Sequence, residues 1–296
     1  MNKITQLVGA ACTVSSLTAN HAAAESALDR WKTSGEINVG HRESSIPFSY
    51  VDSEAGPIGF SLDLCQQVIE DIADTQGIED VKVNYVPVTS QNRIILVQNG
   101  TVDIECGSTS NTVERQKQVA FSYNFFATSV RLMTKASSGI EAFQDLEGKV
   151  VVSYSGSSAD KTIQTKIAET GVEPRTVYAK DNSDAFLYIQ TGRGHAFVND
   201  DILLAGIIAN AETPEDFAIV GPALKVEPYA IMMNRDDDKL KTAVDAALTK
   251  IFSDGRYQKI YEKWFMAPVP PRGVNLNFPL SGAVSDLLAQ PTDSAE

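Results

Sequence analysis

Two short stretches concentrate the residue types that hold anions. Thr89-Ser90-Gln91-Asn92-Arg93 is one, and Cys106-Gly107-Ser108-Thr109-Ser110-Asn111-Thr112-Val113-Glu114-Arg115 is the other. Each sets small hydroxyl residues where a loop meets a helix, and each puts an arginine in the first turn that follows. Hydroxyls, open backbone N–H groups and the positive end of a helix dipole favour an anion at such a junction. A guanidinium adds a planar fork that grips a carboxylate at two points. Ser90 is expected to cap its helix with Arg93 three residues on, and Asn111 with Glu114 has capping-box spacing, followed at once by Arg115. Taken singly, either stretch also reads as an ordinary capped helix with a solvated arginine. Flanking a strand-like run over 102–106, they place their hydroxyls at the carboxyl end of a strand, where open α/β sheets bind ligands. Two such sites side by side suit a ligand with two carboxylates.

Other charges fall at comparable places. Arg42 lies just past the strand expected over 36–40, with a surface ion pair to Glu43 or Glu54 as the alternative. Asp200 and Asp201 close a strand-like run over 195–199. One carboxylate there suits an ammonium group and the other an N-cap for the helix through Leu203 and Leu204; the sequence leaves open which does which. A third hydroxyl-rich junction, Tyr154-Ser155-Gly156-Ser157-Ser158, opens a helix carrying Ile163 and Ile167.

The elements that must position these residues alternate. A short helix over 27–34, closed by Gly35, precedes the first strand. A helical stripe of Cys65, Val68, Ile69 and Ile72 ends near Gly77, with capping-box spacing between Asp63 and Gln66. Residues 81–86 alternate as a strand, and Ile94 to Val97 form a helix core stopped by Asn99-Gly100. Further strands are expected over 129–134, 149–153, 195–199 and 228–234, with helices between them and a clean stripe of Leu240, Val244, Leu248 and Ile251. Phe48 and Tyr50 suit the core, or the roof of a ligand. Repeated β-α-β predicts mostly parallel sheets. The tail from Pro291 is expected to be loose.

The chain has 296 residues, 43% of them apolar, enough for one large domain or two lobes with a substantial core. A net charge of -13 argues against nucleic acid or an anionic membrane as partner. A few arginines inside a cleft still act locally, because distant surface charges are screened. The start reads as a cleaved secretory signal over 1–24, with Lys3 the early charge and Ala22-Ala23-Ala24 as the cleavage site; Cys12 makes a poor lipoprotein site. Cys65 and Cys106 then remain, free to pair in an oxidising compartment if the fold brings them together. No Cys-x-x-Cys occurs, and His21, His41 and His195 show no metal spacing, so neither metal nor cofactor is expected.

With these residues in view, the chain resembles the periplasmic amino-acid-binding proteins of ABC importers, most of all the glutamate/aspartate binders. The likeness rests on Gly40-His41-Arg42-Glu43-Ser44-Ser45, residues 89–93, Glu105-Cys106-Gly107-Ser108-Thr109, Val113-Glu114-Arg115-Gln116 and Asp200-Asp201 with Leu203-Leu204-Ala205-Gly206. Trp264-Phe265 through Pro271 and Asn275-Leu276-Asn277-Phe278 extend it. The resemblance implies a type II periplasmic-binding fold of two lobes, each with a mostly parallel central sheet, joined by two hinge strands near Arg131-Leu132-Met133 and Ala230-Ile231-Met232. Residues 25–130 and 230–296 would form one lobe and 131–229 the other. It also implies roles. Arg115, Ser110 and the helix start at Ser157-Ser158 would hold the ligand's α-carboxylate, and Asp200 with Ser108 its α-ammonium. Arg42, Ser90 and Arg93 would hold the side-chain carboxylate. Asn182 stands where the resembling proteins carry a histidine on that carboxylate; asparagine also accepts from an amide, which opens the site to glutamine and asparagine. The implied partner is an inner-membrane permease, and the implied state a monomer. An enzyme on the same fold, such as a cyclohexadienyl dehydratase, would need an acid, for which Glu173 and Glu227 are the candidates.

Overall fold

The computed structural model describes residues 25–295; the signal segment expected over 1–24 lies outside them. Two five-stranded sheets organise the chain. The first has the order Lys82–Pro87, Glu36–His41, Ile104–Glu105, Met232–Met233, Ala120–Phe121. The second has the order Arg175–Tyr178, Val150–Ser153, Ala196–Asp200, Phe126–Lys135, Phe217–Tyr229. In each, four strands run one way and a single strand, Met232–Met233 or Phe126–Lys135, runs against its neighbours. This is the mostly parallel, two-sheet arrangement expected. The chain passes from the first sheet to the second between Phe121 and Phe126, upstream of Arg131, and returns between Tyr229 and Met232.

Helices form where the apolar spacing has a 3.6-residue period and stop where glycine supplies a left-handed residue. Phe60–Gln76 buries Leu64, Cys65, Val68, Ile69 and Ile72 and ends on Gly77 at φ 65°. It begins three residues before Asp63, so Asp63 is a first-turn charge rather than the expected cap. Asp238–Ser253 buries Leu240, Val244, Leu248 and Ile251, as its stripe predicts. The core under the first sheet is largely aromatic. Phe48 lies edge-on to Phe60, Phe126, Tyr229 and Phe265, with ring centroids 4.9 to 5.8 Å apart. Phe48 and Tyr50 are therefore core residues, each at most 2% exposed.

Two further expectations fail. The long strand Phe217–Tyr229 extends far upstream of 228, across Gly221-Pro222; a register shift between Val220 and Lys225 absorbs that interruption. The tail is tied down rather than loose. The Asn111 and Gln116 amides donate to the Asp293 carbonyl, Asn124 bonds the carbonyls of Thr292 and Ser294, and Lys241 pairs with Asp293 at 2.9 Å. Cys65 and Cys106 form a disulfide that ties the helix Phe60–Gln76 to the start of the Gly107–Ser108 loop.

Candidate functional site

The loops at the carboxyl ends of both sheets face one another. The first layer contributes Arg42 from the end of Glu36–His41, Ser90 and Arg93 from the loop after Lys82–Pro87, and Ser108, Ser110 and Arg115 from the loop after Ile104–Glu105. The second contributes Ser157 and Ser158 at the start of Ser158–Thr170, Asn182 at the start of Asn182–Gln190, and Asp200 at the end of Ala196–Asp200. All are buried except Ser157 and Ser158, which are half-buried.

The local capping differs from the sequence reading by one or two residues, and the difference frees side chains for the cleft. Thr89 and Asn92 bond one another reciprocally at the first junction, taking the task expected of Ser90. At the second, Thr112 accepts from the Arg115 N–H, and Asn111 turns instead to Asn124 and the tail. Ser157 caps its helix through Asp160 N–H at 3.0 Å. At the strand end the two aspartates divide the work left open above. Asp201 accepts from Thr128 Oγ1, Ser129 N–H and Ile202 N–H. Asp200 makes no capping bond; its Oδ2 accepts from the Tyr229 hydroxyl at 2.5 Å, and its Oδ1 is buried with no partner.

The positive charge is poorly answered. Arg93 donates to Thr109 Oγ1, which in turn donates to Glu105 Oε2. Its nearest carboxylate oxygen, Glu105 Oε1, is 4.0 Å away, and its Nε has no partner. Arg115 donates to two backbone carbonyls, Ser110 O at 2.8 Å and Gly156 O at 2.9 Å. Among the described residues neither Arg42 nor Arg115 forms an ion pair with a carboxylate, so the alternative of a surface pair from Arg42 to Glu43 or Glu54 does not arise. Burial, joined by the like charges of Arg115 and Arg42 and opposed by Glu105, lowers the Arg93 guanidinium to about 9. Burial likewise lowers Arg115, opposed by Glu227, Asp200 and Glu105. Burial and the negative charge of Glu227 raise the Asp200 carboxyl to about 7, while the Tyr229 hydroxyl works the other way. Buried ions without partners cost several kcal/mol each, so this set of charges is arranged for a ligand that brings its own.

The two walls touch. Arg115 reaches Gly156 O, and Ser110 Oγ lies 2.9 Å from Ser158 Oγ. Asn182 Nδ2 donates to Ser44 O at 3.0 Å and to Ser45 Oγ at 3.3 Å, while its Oδ1 accepts from Asn199, whose own Oδ1 accepts from the Tyr154 hydroxyl. Glycine is required at two contacts. A Cβ on Gly156, at φ 79°, would lie 2.5 Å from Ser90 O, and one on Gly206 would lie 2.4 Å from Ile46 O. Sequence reasoning did not assign Thr109, Glu105, Asn199 or Tyr229 a role in the site, and named Glu227 as a candidate acid for the enzyme reading alone. Thr109 and Tyr229 act through contacts 16 and 29 positions along the chain, to Arg93 and Asp200; the nearby signal was that Thr109 lies within the hydroxyl run and Glu105 just before it.

Two α/β layers that meet across buried, unanswered charges from both sheets define a clasping binding protein, and the comparisons agree. The chain belongs to the bacterial extracellular solute-binding proteins, family 3, whose profile matches residues 37–267. The L-glutamate/L-aspartate-binding protein of Pseudomonas aeruginosa is 44% identical over 269 residues, covering 90% of this chain and 89% of that protein. The glutamate/aspartate import solute-binding protein of Escherichia coli K12 is 41% identical over 273 residues, covering 92% and 90%. An ancestral arginine-binding protein, solved with arginine bound, superposes with a TM-score of 0.71 at 28% identity, covering 78% of this chain and 98% of that one. These relatives are solute-binding proteins rather than enzymes.

Proposed function

We propose that this protein binds glutamate or aspartate between its two layers and delivers it to the inner-membrane permease of an ABC importer. The observation that carries the reading is the charge set of the cleft: three buried arginines with one ion pair at 4.0 Å among them, facing a buried Asp200 oxygen with no partner. An acidic amino acid brings two carboxylates and one ammonium, the complement of that set. Arg115, Ser110 and the Ser157-Ser158 helix start take the α-carboxylate, Asp200 and Ser108 the ammonium, and Arg42, Ser90 and Arg93 the side-chain carboxylate. The names of the relatives support the same ligand.

Asn182 acts on the ligand through closure. Its amide is spent on Asn199, Ser44 and Ser45, which favours the acids over the amides. The segments 25–121 and 232–295 form one moving body and 126–229 the other, with the hinges at the two crossings between the sheets, and ligand selects the closed arrangement by touching both. The protein works as a monomer in the periplasm, without nucleic acid. The dehydratase reading has little support: of its two candidate acids Glu173 is exposed, and, although Glu227 is buried, the relatives 41–44% identical are named as solute-binding proteins. Arg115→Ala is expected to abolish glutamate binding in calorimetric titration of ligand-stripped protein; near-normal affinity would sink the assignment.

A further inference from the structure

Glu227 has no role in the reading above, yet its carboxylate is 1% exposed and neither oxygen accepts a hydrogen bond. One contact reaches it, from Lys225 Nζ at 3.1 Å from Oε1, on a side chain that is 41% exposed. The strand register places it. Glu227 lies opposite Thr128, and Asp200 lies opposite Val130, on the two sides of the strand Phe126–Lys135. Residues directly opposite share a face of a sheet, and so do residues two apart on one strand. Glu227 and Asp200 therefore project from the same face and flank that strand. Glu227 also lines, with Arg115, Ser157 and Ser158, a cavity of about 710 Å³ whose wall does not include Asp200, so Arg115 and the Ser157-Ser158 helix start are what that cavity shares with the site. Of the charges acting on Arg115 and on Asp200, that of Glu227 is the strongest.

An ammonium group has three donors. Asp200 offers one open oxygen, Oδ1, because Oδ2 is taken by Tyr229. We propose that Glu227 is a second carboxylate of the ammonium subsite, flanking the ligand's α-amino group from the side opposite Asp200. The inference rests on the amino-acid reading above and extends it: this subsite is what separates acidic amino acids from plain dicarboxylates of the same length. The competing account makes Glu227 a structural counter-ion of Arg115 and Lys225.

Glu227→Gln keeps the shape and removes the charge. Glutamate and glutarate, the same dicarboxylate skeleton without the amine, are titrated against wild type and variant. Loss of a charge-assisted bond to the ammonium is expected to weaken glutamate about 10- to 100-fold while glutarate binds as before or more tightly. Glutamate affinity within about threefold of wild type, or an equal loss for both ligands, would overturn the proposal in favour of the counter-ion. Should Glu227→Gln fail to fold, Glu227→Asp, with its carboxylate withdrawn by one methylene, carries the same comparison. Wild-type protein that binds no glutamate would instead refute the amino-acid reading itself.

Discussion

Replacing Asn182 with alanine separates a ligand contact from a closure contact. Its Nδ2 bonds to Ser44 O and Ser45 Oγ cross between the layers, so they exist in the closed arrangement alone. Its bond from Asn199 stays within the second layer and is present whether the cleft is open or closed. The Asn199 bond therefore cancels from the binding equilibrium and appears in stability. Two neutral crossing bonds, one of them long at 3.3 Å, are together worth about 1–2 kcal/mol of closed state. Affinity should fall about 5- to 30-fold, by the same factor for glutamate, aspartate and glutamine. Melting temperature should also drop, because the Asn199 amide, buried at 1% exposure, loses its acceptor. Calorimetric titration with the three amino acids and a thermal melt of ligand-free protein make the test. Unchanged affinity, or a shift in the glutamate-to-glutamine ratio, would refute the closure argument and return Asn182 to the ligand.

Three further perturbations follow from the same geometry. Gly206→Ala places a Cβ 2.4 Å from Ile46 O in the closed arrangement but removes a glycine from the helix Asp201–Ala209; ligand-free stability should hold or rise by up to about 1 kcal/mol, while affinity falls in titration. Asp200 is raised to about 7, and the ammonium requires it ionised, so affinity should fall about tenfold between about pH 8 and about pH 6. The sign for the ligand-free protein is opposite: a raised carboxyl gives its stability at low pH and loses it as pH rises through 7, and Asp200→Asn should flatten both trends. Reducing Cys65–Cys106, which closes a loop of sequence separation 41, should cost about 4 kcal/mol by the chain-entropy estimate and lower the melting temperature.

Much of the site was legible because its residues sit at strand ends and helix starts, where type and spacing identify an anion-binding junction before any contact is known. Arg42, Arg93, Arg115 and Asp200 all came from that local signal, and the family likeness gave them roles. What escaped was the pairing across the fold. Tyr229 with Asp200, Asn182 with Ser44, and Asn111 with Asp293 join residues 29, 138 and 182 positions apart, and no local pattern announces them. The strand Phe217–Tyr229 was missed for a different reason: Gly221-Pro222 reads as a turn, and a register shift lets the strand run past it. The tail looked loose because its own side chains are small and polar; it is anchored chiefly by its backbone carbonyls, which accept from Asn111, Gln116 and Asn124, with Lys241 paired to Asp293.

Buried, unanswered arginine charge is expected to select a second carboxylate on the ligand. The most direct test is titration of unfolded-and-refolded, ligand-stripped protein with glutamate and with glutamine, which differ in that one group. Glutamate is expected to bind at least about 100-fold more tightly, the value of leaving a buried charge without its partner. Equal affinities would contradict it.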